Sequence, residues 1–157
     1  MIKNSYPLLP VIPYQKTSIG MPFVVSFART LIGKYTKDTV RMAYAIFRNE
    51  SGNGNNGVNN NYAGIQADVG QWENLPGTPV ATCTKTDNAG DGRRFLCFSD
   101  ADGYKISFDL LCIKIQQRNM VTVQDYFDHW VCNPKEETAE AKSDFQSLLN
   151  SANKIFI

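Results

Sequence analysis

Apolar and polar positions along this chain repeat with two different periods, and each change of period marks an element. Phe23, Val24, Phe27, Leu31 and Ile32 recur at the spacing of one helix face, with Pro22 suited to the first turn and Gly33 to a stop. A second helical run begins at Lys37-Asp38 and sets Val40, Ala43, Tyr44, Ile46 and Phe47 on one side. It breaks at Ser51-Gly52, beyond which no residue of strong helix propensity occurs before Ala63. The period then falls to two. Pro79 to Thr86 and Arg93 to Ser99 read as strands on either side of Asp87-Asn-Ala-Gly-Asp-Gly92, a hairpin with a long loop. A symmetric turn there places Cys83 and Cys97 roughly opposite each other.

Helical spacing returns after Asp100-Ala-Asp-Gly103, with Ile106, Leu110, Leu111, Ile113 and Ile115 on the apolar side. Thr122 is the expected N-cap of a short helix through Trp130, and Asp125 completes a capping-box pattern. Asn133-Pro134 interrupts the chain. Glu136 to Ser151 forms a last amphipathic helix with Ala139, Phe145, Leu148 and Leu149 inward. Residues 1–20 are proline-rich and aperiodic, which predicts an extended arm that packs on the domain or docks it elsewhere. The expected organisation is that arm followed by one domain over 21–157, α+β in class, mostly helical with a small hairpin.

Composition narrows the function more than the fold. A chain of 157 residues with 43% hydrophobic content suits a single domain with a real core. A formal net charge of +1 supplies no basic field, so nucleic acid is a poor partner. No apolar run approaches the ~20 residues of a membrane span. The segment Tyr6-Pro-Leu-Leu-Pro-Val-Ile-Pro-Tyr14 is not a signal peptide, because prolines interrupt it and no small-residue cleavage site follows. The four cysteines, Cys83, Cys97, Cys112 and Cys132, form no Cys-x-x-Cys pair and His129 is the only histidine, so no metal site is expected. Buried free thiols and one or two disulfides both remain open. No phosphate- or dinucleotide-binding motif is present, so no cofactor is inferred.

One carboxylate stands out. Glu50 falls at the C-terminus of the second helix, next to the loop Asn53–Asn61, in which six of nine residues are Asn and two are Gly. The helix dipole disfavours an ionised carboxyl at that end, and partial burial would act in the same direction. A carboxylic acid that keeps its proton near neutral pH is what glycoside cleavage requires of its general acid. A solvated helix-end Glu is the ordinary alternative at this position. Asn amides can bind sugar hydroxyls and N-acetyl groups, and they tolerate left-handed backbone. Asp68, Glu73, Asp87, Asp91, Asp100 and Asp102 are the candidates for a second carboxylate, with Asp68 the best placed to face a cleft.

Glu50-Ser51-Gly52, a short polar insert, and then Asn59-Asn60-Asn61-Tyr62-Ala63-Gly64-Ile65-Gln66 resemble the core motif of the lysozyme-like superfamily, in particular bacterial and phage glucosaminidases and lytic transglycosylases. Phe98-Ser-Asp-Ala-Asp-Gly-Tyr104 and Thr122-Val-Gln-Asp-Tyr-Phe-Asp-His-Trp130 are similar to further segments of that pattern. The resemblance spans about Asp38 to Leu149; the arm lies outside it, and the cysteines depart from it. It implies a lysozyme-like fold and cleavage of peptidoglycan glycan strands, with Glu50 as general acid and Tyr104 as an assisting tyrosine. Ser51, Asn61, Tyr62 and Gln66 are then substrate-side residues, with Gln66 able to hold an acetamido group and Ser51 also able to brace the helix end. Such a protein acts at the cell wall, and without a signal peptide it needs a carrier, such as a phage particle engaged through the arm. Two other readings stay open: a non-catalytic wall-binding or phage structural module on the same fold, and a hydrolase of another amino-sugar polymer such as chitin.

Overall fold

The computed structural model describes residues 5–67, 75–84 and 94–157. Among these, five α-helices carry nearly half of the residues and two small antiparallel sheets flank them, an α+β architecture. Helix α1 (Met21–Thr30) has Pro22 in its first turn. Helix α2 (Lys37–Ser51) starts at Thr36, whose hydroxyl accepts a hydrogen bond from the Thr39 N–H, and stops at Gly52 in the left-handed conformation, φ 57°. Glycine meets that stop without the steric cost a side chain would bring.

Helix α2 packs on α3 (Gly103–Arg118) and α5 (Ala139–Ile155). Val40, Ala43, Ala45, Ile46 and Phe47 are wholly buried in those contacts. Each fully buried large side chain there contributes about 1.5–3 kcal/mol. Helix α3 is apolar on more than one side because it serves two clusters. Phe108, Leu111, Cys112 and Ile115 join the α1–α2–α5 core, while Ile106 and Leu110 pack with Ile65, Leu96 and Phe98. A helix buried on several faces loses the one-sided pattern of a surface helix.

Four short strands complete the described elements: β1 (Lys16–Thr17), β2 (Gly57–Val58), β3 (Ala81–Thr84) and β4 (Arg94–Cys97). β3 and β4 form the expected hairpin strands, and the connection between them lies outside the described residues. The pair is extended at both margins. Gln66 bridges Phe95, with Ala67 N–H donating to Arg94 O and Leu96 N–H to Ile65 O. On the other side Val11 bridges Thr82, with Ile12 N–H donating to Thr82 O and Thr82 N–H to Pro10 O. β1 pairs with β2 inside the Asn-rich loop. The N-terminal arm is therefore stitched onto this molecule along residues 10–19.

Three expectations are corrected. Cys83 pairs with Phe95 and Cys97 with Ala81, so the two cysteines are diagonal neighbours rather than opposite, because the register is set two residues away from that alignment. The helix from Thr122 keeps its capping box but is regular only over α4 (Val123–Tyr126), then widens into a π-helical turn, Phe127–Val131, ending at Cys132 with φ 52°. The last helix starts at Ala139, not Glu136. Pro134–Glu136 forms a separate 3₁₀ turn, Thr138 caps α5, and Ala139 in the first turn is exposed. No helix among the described residues is long and apolar enough to cross a membrane.

Candidate active site

Glu50 is the last residue but one of α2. Its carboxyl accepts a hydrogen bond from the Tyr126 hydroxyl, Oη to Oε1 at 2.6 Å. The same hydroxyl accepts from Asn49 Nδ2 at 2.8 Å. Tyr126 is 1% exposed, its ring stacked on Phe145 at 3.9 Å between centroids and 4° between planes, with Phe127 edge-on. Burial, then the Glu50 charge, then the hydrogen bond to Glu50 all raise the Tyr126 phenol far above its ordinary range. The phenol is thus a fixed neutral donor aimed at one carboxyl oxygen. Glu50 itself is exposed, which corrects the expectation of partial burial. The π-helical turn follows directly after Tyr126 and carries Trp130 beside it.

Glu50 lies where two cavities meet. One, of about 480 Å³, is lined by Asn49, Glu50, Tyr126, Trp130, Glu136 and Asp144 among others. The other, of about 200 Å³, is lined by Glu50, Asn56, Val58, Asn61, Tyr62 and Phe95 together with Ala63 and Gly64. The Asn-rich loop therefore forms a wall at Glu50. A further groove of about 480 Å³ runs between Asp38, Arg41, Thr122 and Gln146, at the opposite end of α2. Its basic group is already engaged, since Arg41 bonds the Phe156 carbonyl and Asp38, and it is not joined to Glu50.

The remaining sequence candidates have different fates. The Ser51 hydroxyl is buried, donates to Phe47 O and accepts from Gly54 N–H, so it braces the helix end and does not reach a ligand. Asn61 is buried with its amide engaged on both sides. Nδ2 donates to Ile65 O and Leu96 O, and Oδ1 accepts from Ala63 and Ile65 N–H. It lines the smaller cavity as a structural bracket rather than a free sugar-binding amide. Tyr62 is 4% exposed, stacked on Phe47 at 5.7 Å, and shows an edge to the same cavity; burial raises its phenol. Gln66 is half-buried and bridges to β4 through its backbone, and it lines neither cavity at Glu50. Tyr104 packs edge-on against Phe27 of α1 and also lines neither, so Tyr126 is the tyrosine that meets Glu50.

Asp68, with Glu73, Asp87 and Asp91, lies outside the described residues. Asp100 accepts from Asn60 Nδ2 at 2.8 Å and Asp102 from Ser99 Oγ at 3.1 Å, and neither lines a cavity with Glu50. The carboxylates that do are Glu136 and Asp144, from the 3₁₀ turn and α5. Sequence reasoning missed both, and Asn49 and Tyr126 as well. The capping box that positions Tyr126 was visible, but nothing in the sequence joins residues 76 apart. No group of three metal-ligating side chains occurs among the described residues. No family model, no curated protein and no solved structure matches this chain.

Proposed function

We propose that the protein is a peptidoglycan-degrading glycosidase of lysozyme-like arrangement, with Glu50 as the general acid. The observation that carries this reading is the placing of Glu50, a carboxyl shared by two cavities and gripped at Oε1 by a buried phenol. A glycan strand crossing Glu50 would set sugars on both sides of it, with the scissile oxygen above the carboxyl. Trp130 and Tyr62 offer an aromatic surface to the two halves. Because Tyr126 occupies Oε1, Oε2 is the oxygen left to carry the transferable proton. Sugars filling both cavities would strip water from Glu50, and loss of water favours the neutral carboxyl. Protonation of the leaving oxygen as the bond to the anomeric carbon breaks is the step that demands it. Glu136 and Asp144 are the carboxylates placed to orient a water on the larger cavity's side. Work at the cell wall, delivered by a carrier, belongs to the same proposal.

The exposure of Glu50 favours a second reading, a non-catalytic wall-binding module, since the carboxyl is not enclosed away from solvent. Mass spectrometry of purified peptidoglycan incubated with the wild type and with Glu50→Gln separates them. The glycosidase releases soluble muropeptides, and the Gln variant, still folded, is slower by about 10²–10⁴-fold. Anhydro-muramyl ends mark a lytic transglycosylase, and reducing N-acetylglucosamine or N-acetylmuramic acid ends mark a glucosaminidase or a muramidase. Sedimentation with peptidoglycan and no soluble product from the wild type establishes the binder. Soluble product at equal rates from both proteins removes Glu50 from the chemistry.

A further inference from the structure

The hairpin turns Ala81, Cys83, Phe95 and Cys97 to one face, where they cluster with Val58 of the Asn-rich loop. Cys83 and Cys97 are both free and both wholly buried. In the β3–β4 register they are diagonal neighbours on that face, close enough for each thiol to perturb the other, and the Cys97 thiol donates to Phe95 O. The Asn59 side chain lies beside both thiols and donates from Nδ2 to Pro13 O. Phe95, directly opposite Cys83, also lines the smaller cavity at Glu50. The pair therefore sits just behind that cavity's wall.

We propose that Cys83 and Cys97 are a hydroperoxide-oxidisable dithiol that closes reversibly into an intrachain disulfide. Three features carry it. Their place side by side on one buried face of the hairpin shortens the search that normally limits disulfide closure. The two thiols differ in acidity, since Cys97 beside it lowers the Cys83 thiol below its ordinary range, while Cys97 is raised by Cys83 and then by burial. Cys83 is therefore the one that ionises more readily. Finally, diagonal strand neighbours lie about 7–8 Å apart at Cα, wider than the ~4.4–6.8 Å a relaxed disulfide spans. Closure pulls the strands together, and a bridge under such tension is readily reduced again.

The burial of both sulfurs selects the oxidant: a hydroperoxide, ROOH, of which hydrogen peroxide is the smallest, rather than a bulky disulfide. The Cys83 thiolate attacks one peroxide oxygen, the O–O bond breaks, and the departing alkoxide takes up the proton lost from Cys83 and leaves as ROH. The resulting sulfenic acid is attacked by the Cys97 sulfur, the S–O bond breaks, and the oxygen leaves as water with the Cys97 proton. Two thiols and one ROOH become one disulfide, ROH and H₂O, with two electrons passed to the peroxide. None of this depends on what Glu50 does.

The test uses the full chain carrying Cys132→Ser, which removes the exposed thiol. Reduced protein is treated with hydrogen peroxide, quenched with catalase, unfolded in alkylating reagent and mapped by mass spectrometry. A Cys83–Cys97 linked peptide that is lost on treatment with dithiothreitol, with Cys112 still alkylated, is the expected result. In Cys83→Ala and Cys97→Ala the linked peptide is absent, and a dimedone adduct forms on Cys83 in the latter. Full alkylation of both cysteines at every peroxide level that leaves the circular dichroism unchanged overturns the proposal. So does irreversible oxidation of Cys83 without a link, or pairing of either residue with Cys112. If the alanine variants fail to fold, the peptide map of the Cys132→Ser protein decides alone.

Discussion

Tyr126 governs what Glu50 can do, and the two can be separated by one atom. Tyr126→Phe keeps the stack on Phe145 and deletes only the hydroxyl between Asn49 and Glu50. Both partners are exposed and regain water, so the expected stability loss is small, about 1 kcal/mol by urea denaturation. If Glu50 is the acid, glycan cleavage falls through kcat, with KM nearly unchanged, because the carboxyl loses its orientation rather than its substrate contacts. A second outcome follows from the phenols themselves. Tyr126 and Tyr35 are both raised in the folded protein, with burial the first cause in each, and Tyr35 donates to the buried Asp109 carboxylate. Above about pH 10 the unfolded chain releases protons that the folded chain retains, so unfolding becomes easier as pH rises. Stability measured by urea midpoints is expected to hold up to about pH 9 and then decline. Tyr35→Phe and Tyr126→Phe each flatten that decline, and an unchanged slope in both would refute the assignment.

At the scale of elements, α4 is a single turn and depends on its cap. The Thr122 hydroxyl accepts from Asp125 N–H, while the Asp125 carboxylate accepts from the N–H groups of Val121 and Thr122. Those hydrogen bonds, Val121 first, hold the Asp125 carboxyl below its usual range. Its contribution is thus present above about pH 4 and lost as pH falls through the folded value. Thr122→Ala is expected to cost about 1 kcal/mol, read from chemical denaturation at neutral pH, and to loosen Tyr126 four residues on. This cap was legible because it is written in consecutive residues. So were α2, with its apolar face and its Gly52 stop, and the β-prone runs of the hairpin. What the sequence did not disclose depends on distant partners. Whether a helix end is buried is decided by what packs over it, and among the described residues nothing covers Glu50. Ser51 and Asn61 have the residue types of ligand-binding groups, yet their polar atoms are spent on Phe47, Gly54, Ile65 and Leu96. Tyr104 and Tyr126 are alike as tyrosines, and only the packing of α4 against α2 and α5 distinguishes them. The hairpin register escaped for a similar reason, since a two-residue offset preserves which side chains share a face.

For the whole molecule the arm is a structural member, packed on the domain as one of its two expected roles. Gln15 O accepts from Asn59 N–H, Thr17 Oγ1 from Asn60 N–H, Pro13 O from Asn59 Nδ2, and Ile19 N–H donates to Gly54 O. The left-handed Asn59 and Asn60, at φ 47° and 64°, are held in place by these bonds. Their loop also rests on α3 at Gly103, where a Cβ would lie 2.1 Å from Asn60 O. Deleting residues through Thr17 is expected to leave the helices intact by circular dichroism and lower the melting temperature. Amide exchange should accelerate at Asn59, Asn60 and Thr82, read by deuterium-exchange mass spectrometry. Unchanged exchange at these three amides would show the arm to be dispensable. The same stitching has a consequence for how the protein is made. Thr17 leaves the ribosome 43 residues before the Asn60 it will hold. At about 5–20 residues per second that is a wait of seconds, and β3 emerges later still. During translation the segment that finally covers the sheet margin is therefore an unclaimed apolar stretch, in which Pro10 and Pro13 offer no N–H to a neighbouring nascent chain.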